Sequence, residues 1–107
     1  MRACFTADPN LRRWYREFNR KWFADELPHD VDIFYAPLND TIAEMTWDEA
    51  GTPVIRIYPI FSICSRMVRL AILHEQAHIH LRSTSHGPLF QAEMVRLAKA
   101  GAMKGLW

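Results

Sequence analysis

The chain has 107 residues, half of them apolar, and a formal net charge of +1. That length suits one domain spanning 1–107, whose single core must serve stability and chemistry alike. The near-neutral balance excludes the global basic field of a dedicated nucleic-acid binder and the acidic bias of a solvating tail, and no segment approaches the roughly 18 apolar residues that span a bilayer.

Cys4 and Cys64 are the only cysteines and form no CxxC pair, so both are expected to be free thiols in a reducing compartment. Met1 to Asn10 holds no apolar run of signal-peptide length, and the expected location is the cytoplasm.

Asp8 followed by Pro9 reads as an N-cap and first-turn pair. After it Leu11, Trp14, Tyr15, Phe18, Trp22 and Phe23 recur at three- and four-residue spacing, which predicts an amphipathic helix ending near Phe23 to Asp25. Its aromatic stripe is a core face. Its other face holds Arg12, Arg13, Arg16, Arg20 and Lys21, a solvated surface that could touch phosphates, so DNA contact is a secondary expectation there. Leu27-Pro28 stops the helix.

Val31, Ile33 and Tyr35 alternate as a first strand, and Thr41 to Trp47 and Pro53 to Tyr58 as two more. Asp48 to Thr52 is a Gly-containing turn between the last two, which should form an antiparallel hairpin. Pro53 and Pro59 confine the third strand.

From Ser65 to Arg82 the apolar residues point nearly all round a helix, so this helix is predicted to be buried. It also carries Glu75 and three histidines. Burying unpaired polar groups costs about 1 to 3 kcal/mol each, and a metal ion supplies the reason to do so. After a loop at Ser83 to His86, Pro88 opens a helix that carries Phe90, Met94 and Leu97 to a stop at Gly101. Ala102 to Trp107 has no assignment.

His74-Glu75-Gln76-Ala77-His78 is an HExxH match. Residues four apart lie one above the other on a helix, so His74 and His78 can share one Zn²⁺ at distances near 2.0–2.1 Å. Glu75 can then act as general base toward a zinc-activated water without being a ligand, with Gln76 and Ala77 as packed spacers. A catalytic zinc needs a third protein ligand and an open position, and the candidates are His80, His86 and Glu93. His80 lies about 200° round the helix from His78 and points away. His86, past the helix end, is favoured, with Glu93 as the alternative. His29 and His80 are expected to be ordinary surface or satisfied core histidines, and Tyr35 and Tyr58 to pack rather than serve as oxyanion donors.

At these residues the chain resembles the SprT-like zinc metalloprotease domains. Trp14 to Asn19, Trp22-Phe23 and Leu27-Pro28 look like the family's first-helix signature, and Ile55-Arg56-Ile57-Tyr58-Pro59 like its strand before the active helix. Leu73 to His78 followed by His86-Gly87-Pro88-Leu89-Phe90 is the most specific match. The resemblance implies that His86 is the third zinc ligand, that the cleft is shallow and loosely selective, and that some relatives act on proteins bound or crosslinked to DNA. The His78 to His86 spacer is short compared with many members, and residues 87–107 hold no Cys-rich or strongly basic run.

The expected fold is α+β: a small antiparallel sheet of about three strands against the buried HExxH helix, flanked by the N- and C-terminal helices. The expected function is zinc-dependent hydrolysis of peptide bonds in protein or peptide substrates, with one zinc per chain held by His74, His78 and His86 and with Glu75 as base. An edge strand, Pro53 to Tyr58 or Thr41 to Trp47, is expected to hold an extended substrate. The rival readings are a zinc-stabilised regulatory module that cleaves nothing and a nucleic-acid-associated adaptor using the first-helix arginines.

Overall fold

Asp8 caps the first helix by accepting a hydrogen bond from the Asn10 N–H at 2.8 Å, and Pro9 occupies its first turn, giving α1 at Pro9–Trp22. The computed structural model describes residues 8–106, apart from the side chains of residues 60 and 61, so Cys4 lies outside the described residues. Cys64 is a free thiol. The remaining elements are β1 (Asp32–Tyr35), β2 (Ala43–Trp47), β3 (Pro53–Ile57), a short 3₁₀ turn (Pro59–Ile63), α2 (Ser65–Leu81) and α3 (Pro88–Ala100). No helix among the described residues is long and apolar enough to cross a membrane.

The chain turns sharply after α1 through left-handed Ala24 (φ 52°) and Asp25 (φ 60°), a backbone region that disfavours residues other than glycine. Asn19, only 1% exposed, braces that turn: its amide donates to the Leu27 carbonyl at 3.1 Å and accepts from the Leu27 N–H at 3.0 Å. The Tyr15 hydroxyl donates to the Pro28 carbonyl at 2.8 Å. Asn19→Ala strands both backbone groups of buried Leu27, and the expected loss of stability is about 3 kcal/mol. Chemical denaturation checks it, and a loss below about 1 kcal/mol would show that the turn is held by other contacts.

The fold is α+β, as expected, but its three-stranded sheet is mixed rather than all antiparallel, in the order β1-β3-β2. β2 and β3 form the expected antiparallel hairpin, with Ala43 opposite Ile57 and Trp47 opposite Pro53. Asp48 closes it, its carboxylate accepting from the Ala50 and Thr52 N–H groups, and Gly51 takes the left-handed conformation (φ 83°) that the turn needs. β1 pairs parallel to β3, from Asp32 opposite Val54 to Tyr35 opposite Ile57. The connection 36–42 passes over the width of one strand, leaving a slot between β1 and β2 that β3 fills. β3 is therefore central, and its burial is nearly continuous, as a strand paired on both sides and covered by a helix requires. The expectation that Pro53 to Tyr58 could be a substrate-binding edge is corrected; β2 is the edge beside α2.

α2 is the hub of the packing and touches α1, α3, β2 and β3. Its Val68, Ile72, Leu73 and Ala77 share one core with Leu11, Tyr15 and Phe18 of α1, Met45, Ile55 and Ile57 of the sheet, and Leu97 of α3. Gly101 (φ 97°) ends α3, and Ala102, Met103 and Leu106 fold back into this core. Gln76 is more than a spacer. Fully buried, it donates to the Tyr15 carbonyl at 2.9 Å and so ties α2 to α1, while its Oε1 has no hydrogen-bond partner among the described residues.

Candidate metal centre

Four-residue spacing on α2 brings His74 and His78 to one face, their ring centroids 5.0 Å apart. Arg82, left-handed at φ 53°, ends the helix and reverses the chain, and the Ser83 N–H bonds back to the His78 carbonyl at 3.1 Å. The serines then build the return: the Ser85 N–H bonds to the Ser83 hydroxyl and the Gly87 N–H to the Ser85 hydroxyl, each at 3.1 Å. His86 thereby meets both helical histidines. Its Nε2 lies 3.3 Å from Nε2 of His74 and 3.2 Å from Nε2 of His78. One ligand atom from each of the three lies within 4.8 Å of the others.

The donor set fits a cation. Two nitrogens bound tetrahedrally at 2.0–2.1 Å stand about 3.3 Å apart, the spacing that His86 keeps to its two neighbours. His78 Nδ1 lies 2.9 Å from the Ser83 carbonyl, which can only accept, so Nδ1 carries the proton and the neutral ring turns a lone pair on Nε2 toward the cluster. A single N–H on His86 cannot point at both neighbouring rings, whereas one ion at the shared point satisfies all three. Burial, then the proximity of His78 and His86, lowers the His74 pKa to about 4, and burial also lowers that of His78. At neutral pH both rings are ready to ligate.

Phe90 of α3 forms the floor of the centre. It stacks on His78 with centroids 4.5 Å apart and planes at 19°, and packs against His74 and His86 at 4.9 Å each. Helical period marks Phe90 as a core residue, but its place under three imidazoles is set by the crossing of α2 and α3.

Glu75 is 4% exposed and makes no hydrogen bond or ion pair among the described residues. Burial, followed by the nearby carboxylate of Glu44, raises its pKa to about 7. Glu75 and His74 line a cleft of about 500 Å³ between α2 and the start of β2. Tyr35 is buried in the core and Tyr58 half-buried; neither lines that cleft.

The other candidates have separate partners. Glu93 pairs with Arg96 through contacts of 2.8 and 3.1 Å and with His80 Nδ1, so it is turned into a network away from the three histidines. His80 also reaches Glu26 at 3.3 Å, and Arg96 donates to the Trp22 carbonyl at 2.9 Å, linking all three helices. His29 is exposed and bonds Asp25 at 2.9 Å. Arg12, Arg13, Arg16 and Arg20 line a groove of about 590 Å³ that shares no residue with the cleft.

No protein-family model matches the chain, and no curated protein matches it in sequence. Among solved structures, its fold is similar to the crystal structure of the metallopeptidase zymogen of Methanocaldococcus jannaschii jannalysin, with a TM-score of 0.56 over 91% of this chain and 93% of that one. The two are 16% identical, and what they share is the fold.

Proposed function

We propose that the chain is a zinc-dependent metalloendopeptidase, with His74, His78 and His86 holding the ion and Glu75 as general base. One observation carries this reading: a buried, unpartnered carboxyl opens onto a cleft beside a cluster of three histidines to which no fourth His, Cys, Asp or Glu is added among the described residues. Three protein ligands and an open position are the pattern of catalytic zinc, whereas structural sites are closed by four. The metallopeptidase fold of the neighbour agrees with it, and the motif residues from Leu73 to Phe90 favour a SprT-like member.

Zinc bound there would supply Lewis acidity toward the scissile carbonyl and lower the pKa of a water to about 7. Glu75 takes the proton of the attacking water and returns it to the leaving amine nitrogen. Ser83 fixes the ring of His78, Phe90 holds the three imidazoles in place, and the low polarity around Glu75 keeps its carboxyl basic enough to accept a proton near neutral pH.

Zinc-loaded protein is expected to cleave an unfolded protein substrate, to stop on chelation, and to resume when zinc is restored. A chain that carries one zinc and cleaves neither unfolded protein nor peptide overturns the proposal in favour of a regulatory module.

A further inference from the structure

The cleft that ends at His74 and Glu75 has a definite floor. Leu70, Ala71, His74 and Glu75 stand three, four, seven and eight residues after Met67, so all five share one face of α2. Seven residues of helix rise about 10 Å, the length of about three residues of extended chain. The floor therefore runs from the candidate metal centre along about three substrate residues, and all of it before His74 is apolar.

The facing wall begins at Asp40 and Thr41, its polar end, and continues as β2. The Tyr58 N–H bonds the Ile42 carbonyl at 2.8 Å, which makes these two a hydrogen-bonded pair. By antiparallel alternation Ala43, opposite Ile57, is a non-bonded pair and turns its own N–H and carbonyl away from β3, toward the free edge. The Thr41 hydroxyl already donates to that carbonyl at 2.9 Å, leaving the Ala43 N–H to meet a substrate carbonyl. Ile42, 40% exposed, adds an apolar side chain at the same wall.

We propose that this groove, floored by Met67, Leu70 and Ala71 and walled by Ile42, selects a large apolar side chain within about three residues of the scissile bond, with the substrate strand laid along β2. The proposal rests on the peptidase reading above and deepens it. Adding a strand at β2 places alternate side chains toward α2, so one substrate position in two meets the floor. A leucine-sized group removes that apolar surface from water, whereas an amide of the same size arrives there without polar partners on the floor.

The test uses full-length zinc-loaded protein and fluorogenic peptides that differ only by Leu, Asn or Ala at successive positions beside the cleaved bond. At one position or at alternate ones Leu is expected to exceed Asn and Ala by about tenfold or more in kcat/KM. The same peptides, labelled and titrated against zinc-loaded Glu75→Gln by fluorescence anisotropy, should rank in the same order without any cleavage. Met67→Glu, checked for unchanged zinc content and assayed with an added Lys peptide of the same series, should raise the Lys-to-Leu ratio at that position. Cleavage with flat Leu, Asn and Ala series sinks the subsite and leaves the peptidase reading intact. Preferential binding of the Leu peptide with no cleavage supports the subsite and removes the peptidase. A flat binding series overturns the subsite by itself, whether or not Met67→Glu folds.

Discussion

Glu75→Gln is expected to retain one zinc per chain and to lose peptide-bond cleavage by a factor on the order of 10² to 10⁴, the usual contribution of a positioned general base. Gln keeps the volume of the side chain and cannot accept the proton. The carboxyl makes no hydrogen bond or ion pair among the described residues, so the substitution breaks no structural contact. Metal analysis beside a cleavage assay tests this, and unchanged activity removes Glu75 from the mechanism. The metal-free protein offers a second readout. There the folded-state pKa of Glu75 is about 7, above its ordinary value of 4.5, because of burial and then Glu44. The native state thus favours the protonated carboxyl: the stability this contributes is complete below about pH 4.5 and is lost as pH rises through about 7. Gln has no proton to lose and His74 is common to both proteins, so metal-free Glu75→Gln should gain on wild type between those pH values and then hold its advantage. Urea denaturation at pH 4.5 and pH 8 measures the difference. A gap that does not change with pH contradicts the buried carboxyl.

His86→Ala is expected to abolish stoichiometric zinc, with little cost to the metal-free fold because His86 is exposed. Wild type should be stabilised by zinc through mass action, by about 2.7 kcal/mol at a hundred times the dissociation constant, and His86→Ala should not respond. Glu93→Ala gives the opposite pattern. Its carboxylate is buried between Arg96 and His80, so the variant should keep its zinc and lose about 1 to 3 kcal/mol of stability. Zinc retained in His86→Ala but lost in Glu93→Ala reverses the ligand choice.

Much of the molecule was legible because it is local. The Asp8-Pro9 start, the Leu11 to Phe23 stripe, the Asp48 to Thr52 turn, the apolar helix from Ser65 and the Gly101 stop each rest on spacing or backbone preference within a few residues. The proximity of His74 and His78 is likewise a property of helical geometry. The return of His86 was foreseen from a loop of four residues past the helix end, and Arg82, Ser83 and Ser85 supply the turn that achieves it.

What lay beyond the sequence depends on elements meeting across long separations. Local alternation marks three strands but carries no information on their order, so the parallel pairing of β1 with β3 is visible only in the tertiary structure. The same packing put β3 in the centre and left β2 as the edge beside α2. Asn19 as the brace of Leu27, Gln76 as the tie to Tyr15, Phe90 beneath three imidazoles and Glu44 beside Glu75 are contacts between segments whose spacing has no signature. The burial of Ala102 to Leu106 belongs with them, since short apolar tails carry no period. The sequence by itself determined which residues are candidates to hold a metal ion and to act as a base beside it, because helical period and side-chain chemistry are local. Only the tertiary structure decided the spacing of the three nitrogens, the isolation of Glu75 and the shape of the cleft, because distance and burial are set by how α2, α3 and β2 pack together.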